Sequence, residues 1–303
     1  MNARREQPLL EVSARTDAGL RRRQNEDWLL AADPCFLVAD GMGGHEAGDE
    51  ASRAAIAAFS EEFTAPGPAT LERIDAALAR ARSDVARLAA RRERGAGCTL
   101  TGVIRIEHDG APFWYVLNIG DSRAYLHRDG ELIQLTRDHS LLAERLDAGR
   151  ADAASTPRNL ITRALGSDDS RHDAWLLPIE SATRLLICTD GLTSEVEDQR
   201  LETALRGADR PARLVERLLD EALRSGGRDN ITLIVVDVLS SGSGTLGSAP
   251  SPTQPGTAAA GTDTGAVELE AAGIDDGGDD REVDEITIER TRPARRPVTA
   301  GAR

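Results

Sequence analysis

Cysteine is scarce in this 303-residue chain: only Cys35, Cys98 and Cys188 occur, each in or beside an apolar run. An odd, dispersed set supplies neither a metal knuckle nor a disulfide framework, so the thiols read as reduced and buried rather than as catalytic nucleophiles. Long hydrophobic runs are missing too. No stretch approaches the roughly 18 apolar residues that a membrane span needs, and the Met1 end has no apolar segment resembling a signal peptide. The expectation is a soluble, cytoplasmic protein. Basic stripes are the third absence. With a formal net charge of -14, nothing stands ready to neutralise nucleic-acid phosphates, which argues against a nucleic-acid partner.

A composition break near Ser240 divides the chain. Beyond it, Ser-Ser-Gly-Ser-Gly-Thr-Leu-Gly-Ser-Ala-Pro-Ser-Pro and the Gly/Thr/Ala stretch that follows cannot bury enough apolar surface to offset the entropy of ordering. Residues 1–8 therefore read as an N-terminal extension, 9–239 as the packed domain, and 240–303 as a disordered tail. The tail carries an acidic block, Asp275, Asp276, Asp279, Asp280, Glu282, Asp284 and Glu285, followed by Arg290, Arg292, Arg295 and Arg296. A solvated, solubilising tail is the simpler reading. Within it, Val283 to Glu289 alternates apolar and polar residues as a docking strand would, and Thr287 among acids is a candidate phosphorylation site.

What the domain does contain is four acidic clusters, each where a strand is expected to begin or end: Asn25-Glu26-Asp27, Asp40-Gly41-Met42-Gly43-Gly44-His45, Cys188-Thr189-Asp190-Gly191-Leu192 and Arg228-Asp229-Asn230-Ile231-Thr232. Carboxylates at strand ends can converge although far apart in sequence. Gathered anions repel one another and lose hydration unless cations sit between them. Oxygen-only donors suit a hard divalent ion such as Mg2+, Mn2+ or Ca2+, whereas zinc would want closely spaced Cys and His.

Periodicity predicts strands over 9–16, 28–32, 35–39, 100–106, 113–119, 122–126, 131–135, 175–179, 184–188 and 231–239. Asp129-Gly130 is a hairpin signal. Helices are predicted over 46–63, 71–92, 139–148, 198–206 and 211–225, with Pro66-Gly67-Pro68 parting the first two. Strands in runs interrupted by paired helices fit a layered α+β fold, with two sheets face to face and the acidic strand ends along one rim.

Six ordered segments resemble the metal-dependent 2C-type (PPM) protein serine/threonine phosphatases in their bacterial form: Arg22 to Asp27, Asp40 to His45, Gly97 to Leu100, Ile119 to Arg123, Thr189 to Gly191 and Asp229 to Thr232. The resemblance covers about residues 9–239. It implies a four-layer αββα sandwich, two antiparallel β-sheets flanked by helix pairs, with two Mn2+ or Mg2+ ions between the sheets and often a third. Asp40 matches the bridging carboxylate and Gly41 offers its carbonyl. Asp190 and Asp229 match ligands of one ion, Glu26 and Asp27 support the centre directly or through water, and Asp121 with Asp190 matches the third site. Asp40, Asp190, Asp229 and Arg22 are thus the expected catalytic set, and Arg22 is the expected phosphate-binding residue, since a guanidinium donates two parallel hydrogen bonds to a phosphoryl group.

Two cations about 3.5–4 Å apart can lower the pKa of a water between them and aim it at phosphorus. Met42 stands where one branch of the family has a His after Asp-Gly, which leaves His45 as a candidate general acid; the alternative is that Gly43 and Gly44 simply let the backbone approach the ions. The irregular segment 149–166 matches the family's flap, so Arg158, Asn159 and Arg163 are candidate substrate contacts, against the reading of a merely solubilising loop. His139 reads as structural, at a helix start capped by Asp138 or Ser140.

The function implied is metal-dependent hydrolysis of phosphoserine and phosphothreonine in proteins, opposing a bacterial Ser/Thr kinase, by a monomer with no nucleic-acid or membrane partner. The alternative is a pseudophosphatase or phosphoprotein-binding regulatory module, which loss of Asp40, Asp190 or Asp229 would favour. A haloacid-dehalogenase-like enzyme would want Asp-x-Asp after its first strand, and Asp40-Gly41-Met42 lacks the second Asp.

Overall fold

A computed structural model describes residues 7–43, 46–93, 95–150, 152–157 and 160–242, and the two-residue strand Leu269–Glu270. His45, Arg158, Asn159, the acidic block and Thr287 lie outside the described residues.

Successive side chains of a strand point to opposite faces, so a continuous apolar run is buried on both, and strand β3 (Cys35–Met42) shows it plainly. Cys35, Leu37 and Ala39 face one core, while Phe36 and Val38 face another. The same division recurs in β11 (Ile231–Ser240), where Leu233 and Val235 point one way and Ile234, Val236 and Val238 the other. Fully buried strands of this kind read as continuous hydrophobic runs.

Two antiparallel sheets result. One joins β1 (Leu9–Asp17), β11, β10 (Thr183–Cys188), β7 (Arg123–Arg128) and β8 (Glu131–Gln134) in that order. The other runs β12 (Leu269–Glu270), β9 (Asp173–Pro178), β6 (Ala111–Ile119), β5 (Leu100–His108), β3 and β2 (Asp27–Ala32), with the short β4 (Gly97–Cys98) paired to β3. Their facing surfaces bury Phe36, Val103, Trp114 and Val116 against Leu126, Leu185, Ile187 and Ile234.

Helices α1 (Glu46–Glu62) and α2 (Leu71–Ala89) cover the outer face of the second sheet through Ala51, Ala55, Phe59, Ile74, Leu78 and Val85. Helices α5 (Asp198–Arg206) and α6 (Pro211–Ser225) cover the first through Leu201, Leu205, Leu214 and Leu218. This is the four-layer αββα sandwich. Thr70 accepts from the Arg73 N–H to start α2, and Pro211 at its first turn suits the start of α6.

Element boundaries track the sequence closely, and the departures have local causes. At the predicted hairpin, Asp129 (φ 54°) and Gly130 (φ 82°) both adopt the left-handed conformation that a two-residue connection between β7 and β8 demands. Asp109 (φ 52°) and Gly110 (φ 70°) repeat the device between β5 and β6. The helix expected from His139 begins later, as α3 (Leu141–Asp147), because Ser140 caps it by accepting from the Ala143 N–H while His139 is drawn into the sandwich. A single turn, α4 (Asp190–Thr193), follows β10. Leu269–Glu270, within the segment read as tail, pairs with Ala174 and Asp173 at the edge of the second sheet.

The inter-sheet layer carries the stability of this arrangement. Ile187→Ala is expected to cost about 2–5 kcal/mol by loss of transfer energy and creation of a cavity, while Leu9→Ala, at a 59% exposed position, should stay within about 0.5 kcal/mol. Urea denaturation of the two variants checks the contrast.

Candidate metal centre

Antiparallel pairing brings the acidic clusters to one rim. Asp27 at the start of β2 lies directly opposite Asp40 near the end of β3. Asp190 follows the end of β10, and Asp229 precedes the start of β11, the strand paired with β10. Asp121 occupies the turn between β6 and β7. Carboxylates from both sheets therefore meet across the mouth of the sandwich.

A frame of uncharged hydrogen bonds holds them. The Thr189 hydroxyl donates to Asp27 Oδ2 at 2.9 Å and accepts from the Thr232 N–H at 3.0 Å, tying the sheets together. Asn230 accepts from the Glu26 N–H at 2.8 Å and donates to the carbonyls of Ala18 and Gln24 at 3.0 and 2.9 Å. The Asp40 N–H donates to the Thr99 hydroxyl, which in turn bonds the Ser122 hydroxyl. Ser52 donates to the Glu26 carbonyl at 2.5 Å. Sequence alone does not mark these partners: Thr189, Asn230 and Ser122 adjoin an acid while Thr99, Thr232 and Ser52 do not, and an uncharged hydroxyl or amide looks alike in any turn.

Close approach of backbone explains two glycines. A Cβ on Gly41 would stand 2.3 Å from the Gly48 carbonyl oxygen and 2.5 Å from that of Glu26, and one on Gly191 would stand 1.9 Å from the Asn230 carbonyl oxygen. The Gly41 N–H donates to the Glu26 carbonyl.

Electrostatics at the rim is dominated by burial. It pushes Asp27 and Asp121 up to about 7; Asp190 and Asp229 add to the rise at Asp27 and Asp190 and Asp138 to that at Asp121, while bonds from Thr232 and Thr189 restrain Asp27. Burial also raises Asp40 well above the usual carboxylate range, reinforced by Asp27, Asp190, Asp121 and Asp229. Asp190 is raised by burial and by Asp229, with a hydrogen bond to Asp40 in partial relief. Arg22 is the cation facing them. Its guanidinium donates to Asp229 Oδ2 at 2.7 Å. Burial works against its charge, but Asp229, Glu26 and Asp40 outweigh that and hold its pKa above the ordinary value.

Among the described residues no three Asp, Glu, His or Cys side chains form a ready cation site. The donor set nevertheless fits hard divalent ions on two observations. Asp27 Oδ1 and Asp121 Oδ1 are buried without any hydrogen-bond partner, an expensive condition for a carboxylate. Four carboxyl groups with raised pKa values also stand together, Asp27 and Asp121 buried and Asp40 and Asp190 half-buried, and Arg22 with Arg123, itself paired with Asp138, cannot neutralise them all. Carboxylate rotamers shift at small cost, so these groups can close around an entering ion.

Of the three expected flap contacts only Arg163 is described, and it points inward, donating to Asp173 Oδ1 at 2.6 Å. His139 is buried at 5% exposure and bonds Asp173 through Nε2 at 2.9 Å. Asp138, considered as a cap, instead takes a bidentate hydrogen bond from Arg123. No helix among the described residues is long and apolar enough to cross a membrane.

Comparison with known proteins agrees with this architecture. Residues 15–229 match the profile of Protein phosphatase 2C. Serine/threonine protein phosphatase PstP of Mycobacterium tuberculosis is 37% identical over 238 residues, covering 76% of this chain and 45% of that protein. Serine/threonine phosphatase stp of Listeria welshimeri is 35% identical over 245 residues, covering 75% of this chain and 96% of that protein. The solved catalytic domain of PstP in complex with two manganese ions superposes with a TM-score of 0.68 at 36% identity, covering 76% of this chain and 99% of that domain. The chain thus spans about half the length of the first of these relatives, 45%.

The raised carboxyl groups have a pH signature. Because the folded pKa of Asp27 and Asp121 lies above the usual 3.8, their contribution favours the metal-free fold below about pH 4 and is lost as pH climbs toward 7. The thermal midpoint of EDTA-treated protein should therefore fall over that window. Asp27→Asn, which removes one of the two groups, should flatten the fall, and an unchanged slope would contradict the assignment.

Proposed function

The chain belongs to the protein phosphatase 2C family, and from that premise we propose that it hydrolyses phosphoserine and phosphothreonine in proteins, using two Mn2+ or Mg2+ ions held by Asp40, the Gly41 carbonyl, Asp190 and Asp229, with Glu26 and Asp27 in support. The observation that carries this reading is the convergence of buried carboxyl groups from both sheets on one rim, with Arg22 beside them. Asp121 with Asp190 would hold a third ion, a role that the unpartnered Asp121 Oδ1 supports.

When bound, the ions supply the Lewis acidity that makes water a competent nucleophile near neutral pH. The rest is the work of the chain. Arg22, half exposed on the rim, is free to exchange Asp229 for a phosphoryl group, whose equatorial oxygens suit its paired N–H donors. The Thr189 hydrogen bond orients the Asp27 carboxylate, and the bond from the Glu26 main-chain N–H to Asn230 places the segment that carries Glu26. Protonation of the departing seryl or threonyl oxygen falls to His45 in this reading.

Substrates in this reading are soluble phosphoproteins, among them the Ser/Thr kinase that the enzyme opposes, met by a monomer in the cytoplasm. The three free, buried cysteines suit a reducing compartment, and the acidic balance gives no support to a nucleic-acid or membrane partner.

Phosphate release from a phosphothreonine peptide in Mn2+ tests the proposal. Wild type should turn over, EDTA should stop it, and Asp40→Asn or Asp229→Asn should each lower kcat by on the order of 10³-fold or more, the loss of several kcal/mol of transition-state stabilisation. Wild-type rates in both variants would overturn the metal assignment. Removal of residues 241–303 should leave hydrolysis of a small aryl phosphate nearly intact; a large fall would make the tail part of the catalytic unit.

A further inference from the structure

His139 is engaged on every polar atom, and the partners form a line. Its main-chain N–H donates to the Gly120 carbonyl at 2.9 Å, and its Nδ1 accepts from the Gly120 N–H at 3.1 Å. An accepting Nδ1 in a neutral ring leaves the proton on Nε2, which faces Asp173 Oδ2 at 2.9 Å. The other oxygen of Asp173 accepts from Arg163 at 2.6 Å. Arg163 also stands 3.8 Å from Asp169 and 3.4 Å from His139 Nε2.

Each end of this line matters. Gly120 immediately precedes Asp121, whose Oδ1 is buried and unpartnered. Gly120 has φ 108°, and a Cβ there would meet the Thr99 side chain at 2.5 Å, so the turn needs glycine at this position. Arg163 belongs to the flap, and the flap backbone is stitched to the same region: Thr162 N–H donates to the His139 carbonyl and Leu141 N–H to that of Leu160. On its other side Leu165 exchanges both backbone hydrogen bonds with Cys98, which pairs with Gly41 beside Asp40.

We propose that His139, Asp173 and Arg163 are positioning residues that couple the flap to Asp121, so that the place of the flap and the aim of the Asp121 carboxylate are set together. The inference rests on the proposed function and deepens it. A phosphoprotein that displaced Arg163 from Asp173 would release the His139 ring and, through Gly120, loosen Asp121. The flap then acts on the cation centre from below rather than touching substrate through Arg163. The alternative for His139, a buried histidine satisfied for stability alone, predicts no link between Asp173 or Arg163 and the ions.

The test is a double-mutant cycle read by calorimetric Mn2+ titration. Asp173→Asn, Arg163→Ala and His139→Asn, whose amide oxygen can take the place of Nδ1 on Gly120 while breaking the bond to Asp173, should each weaken Mn2+ binding by about 10–100-fold, as loss of an outer ligand-orienting partner does. In an Asp121→Asn background the same substitutions should have no further effect. Arg163 is partly exposed, so its variant keeps the test open if the buried ones fold poorly. In the metal-free protein, the imidazole Nε2–H should give a downfield proton resonance that Asp173→Asn removes. Losses that persist undiminished in the Asp121→Asn background, or a fall in thermal midpoint with Mn2+ binding unchanged, would overturn the coupling while leaving the proposed function standing. Failure of the wild type to bind Mn2+ would overturn both.

Discussion

Mutual repulsion among buried carboxyl groups is the constraint on which the rest of this structure turns. Asp27, Asp40, Asp121 and Asp190 are drawn from four different strand ends and taken out of water together. Desolvation alone makes each of them reluctant to ionise, and their proximity compounds it. A fold pays such a cost only where something positive is to be held, and here the nearby arginines are committed elsewhere, Arg22 to Asp229 and Arg123 to Asp138.

The sandwich exists in a form that can bear that strain. Its inter-sheet layer is built mainly of apolar side chains such as Trp114, Phe36 and Ile187; the buried polar residues on the same strand faces are paired, Thr101 with Asn118 and Arg105 with Asp33, and the carboxyl groups gather at the rim. There, neutral donors do the holding. Thr189 spans the sheets to Asp27, Asn230 draws the segments around Ala18, Gln24 and Glu26 together, and Thr99 with Ser122 fixes the strand carrying Asp40 against the turn carrying Asp121. A neutral hydrogen bond orients a carboxylate without cancelling its charge, which keeps the charge available for a ligand. Gly41 and Gly191 serve the same end by letting backbones meet where any side chain would keep them apart.

The segment around Arg163 joins this frame through its backbone and through the Arg163 side chain. Arginine in an irregular segment suggests an outward-reaching contact, yet the pull of Asp173 and Asp169 on a partly desolvated guanidinium turns it inward. The same competition moved His139 out of the helix that its sequence neighbourhood favours. Ser140 satisfied the helix end, and the ring nitrogens found Gly120 and Asp173.

Local chemistry in the chain was enough to determine the strands, the paired helices, the Asp129-Gly130 hairpin and the acids at strand ends. Each rests on periodicity, turn propensity or charge, which act over a few residues. The order of those acids, read as a resemblance, carried the family. Tertiary structure alone decided how the acids converge and which neutral groups orient them. It decided also that Arg163 faces Asp173 and that His139 bonds both Gly120 and Thr162. Those outcomes depend on contacts between residues tens to hundreds of positions apart, such as Thr189 with Asp27 and Asn230 with Ala18. A hydroxyl, an amide or an imidazole carries no mark in sequence of the partner that long-range packing will bring to it.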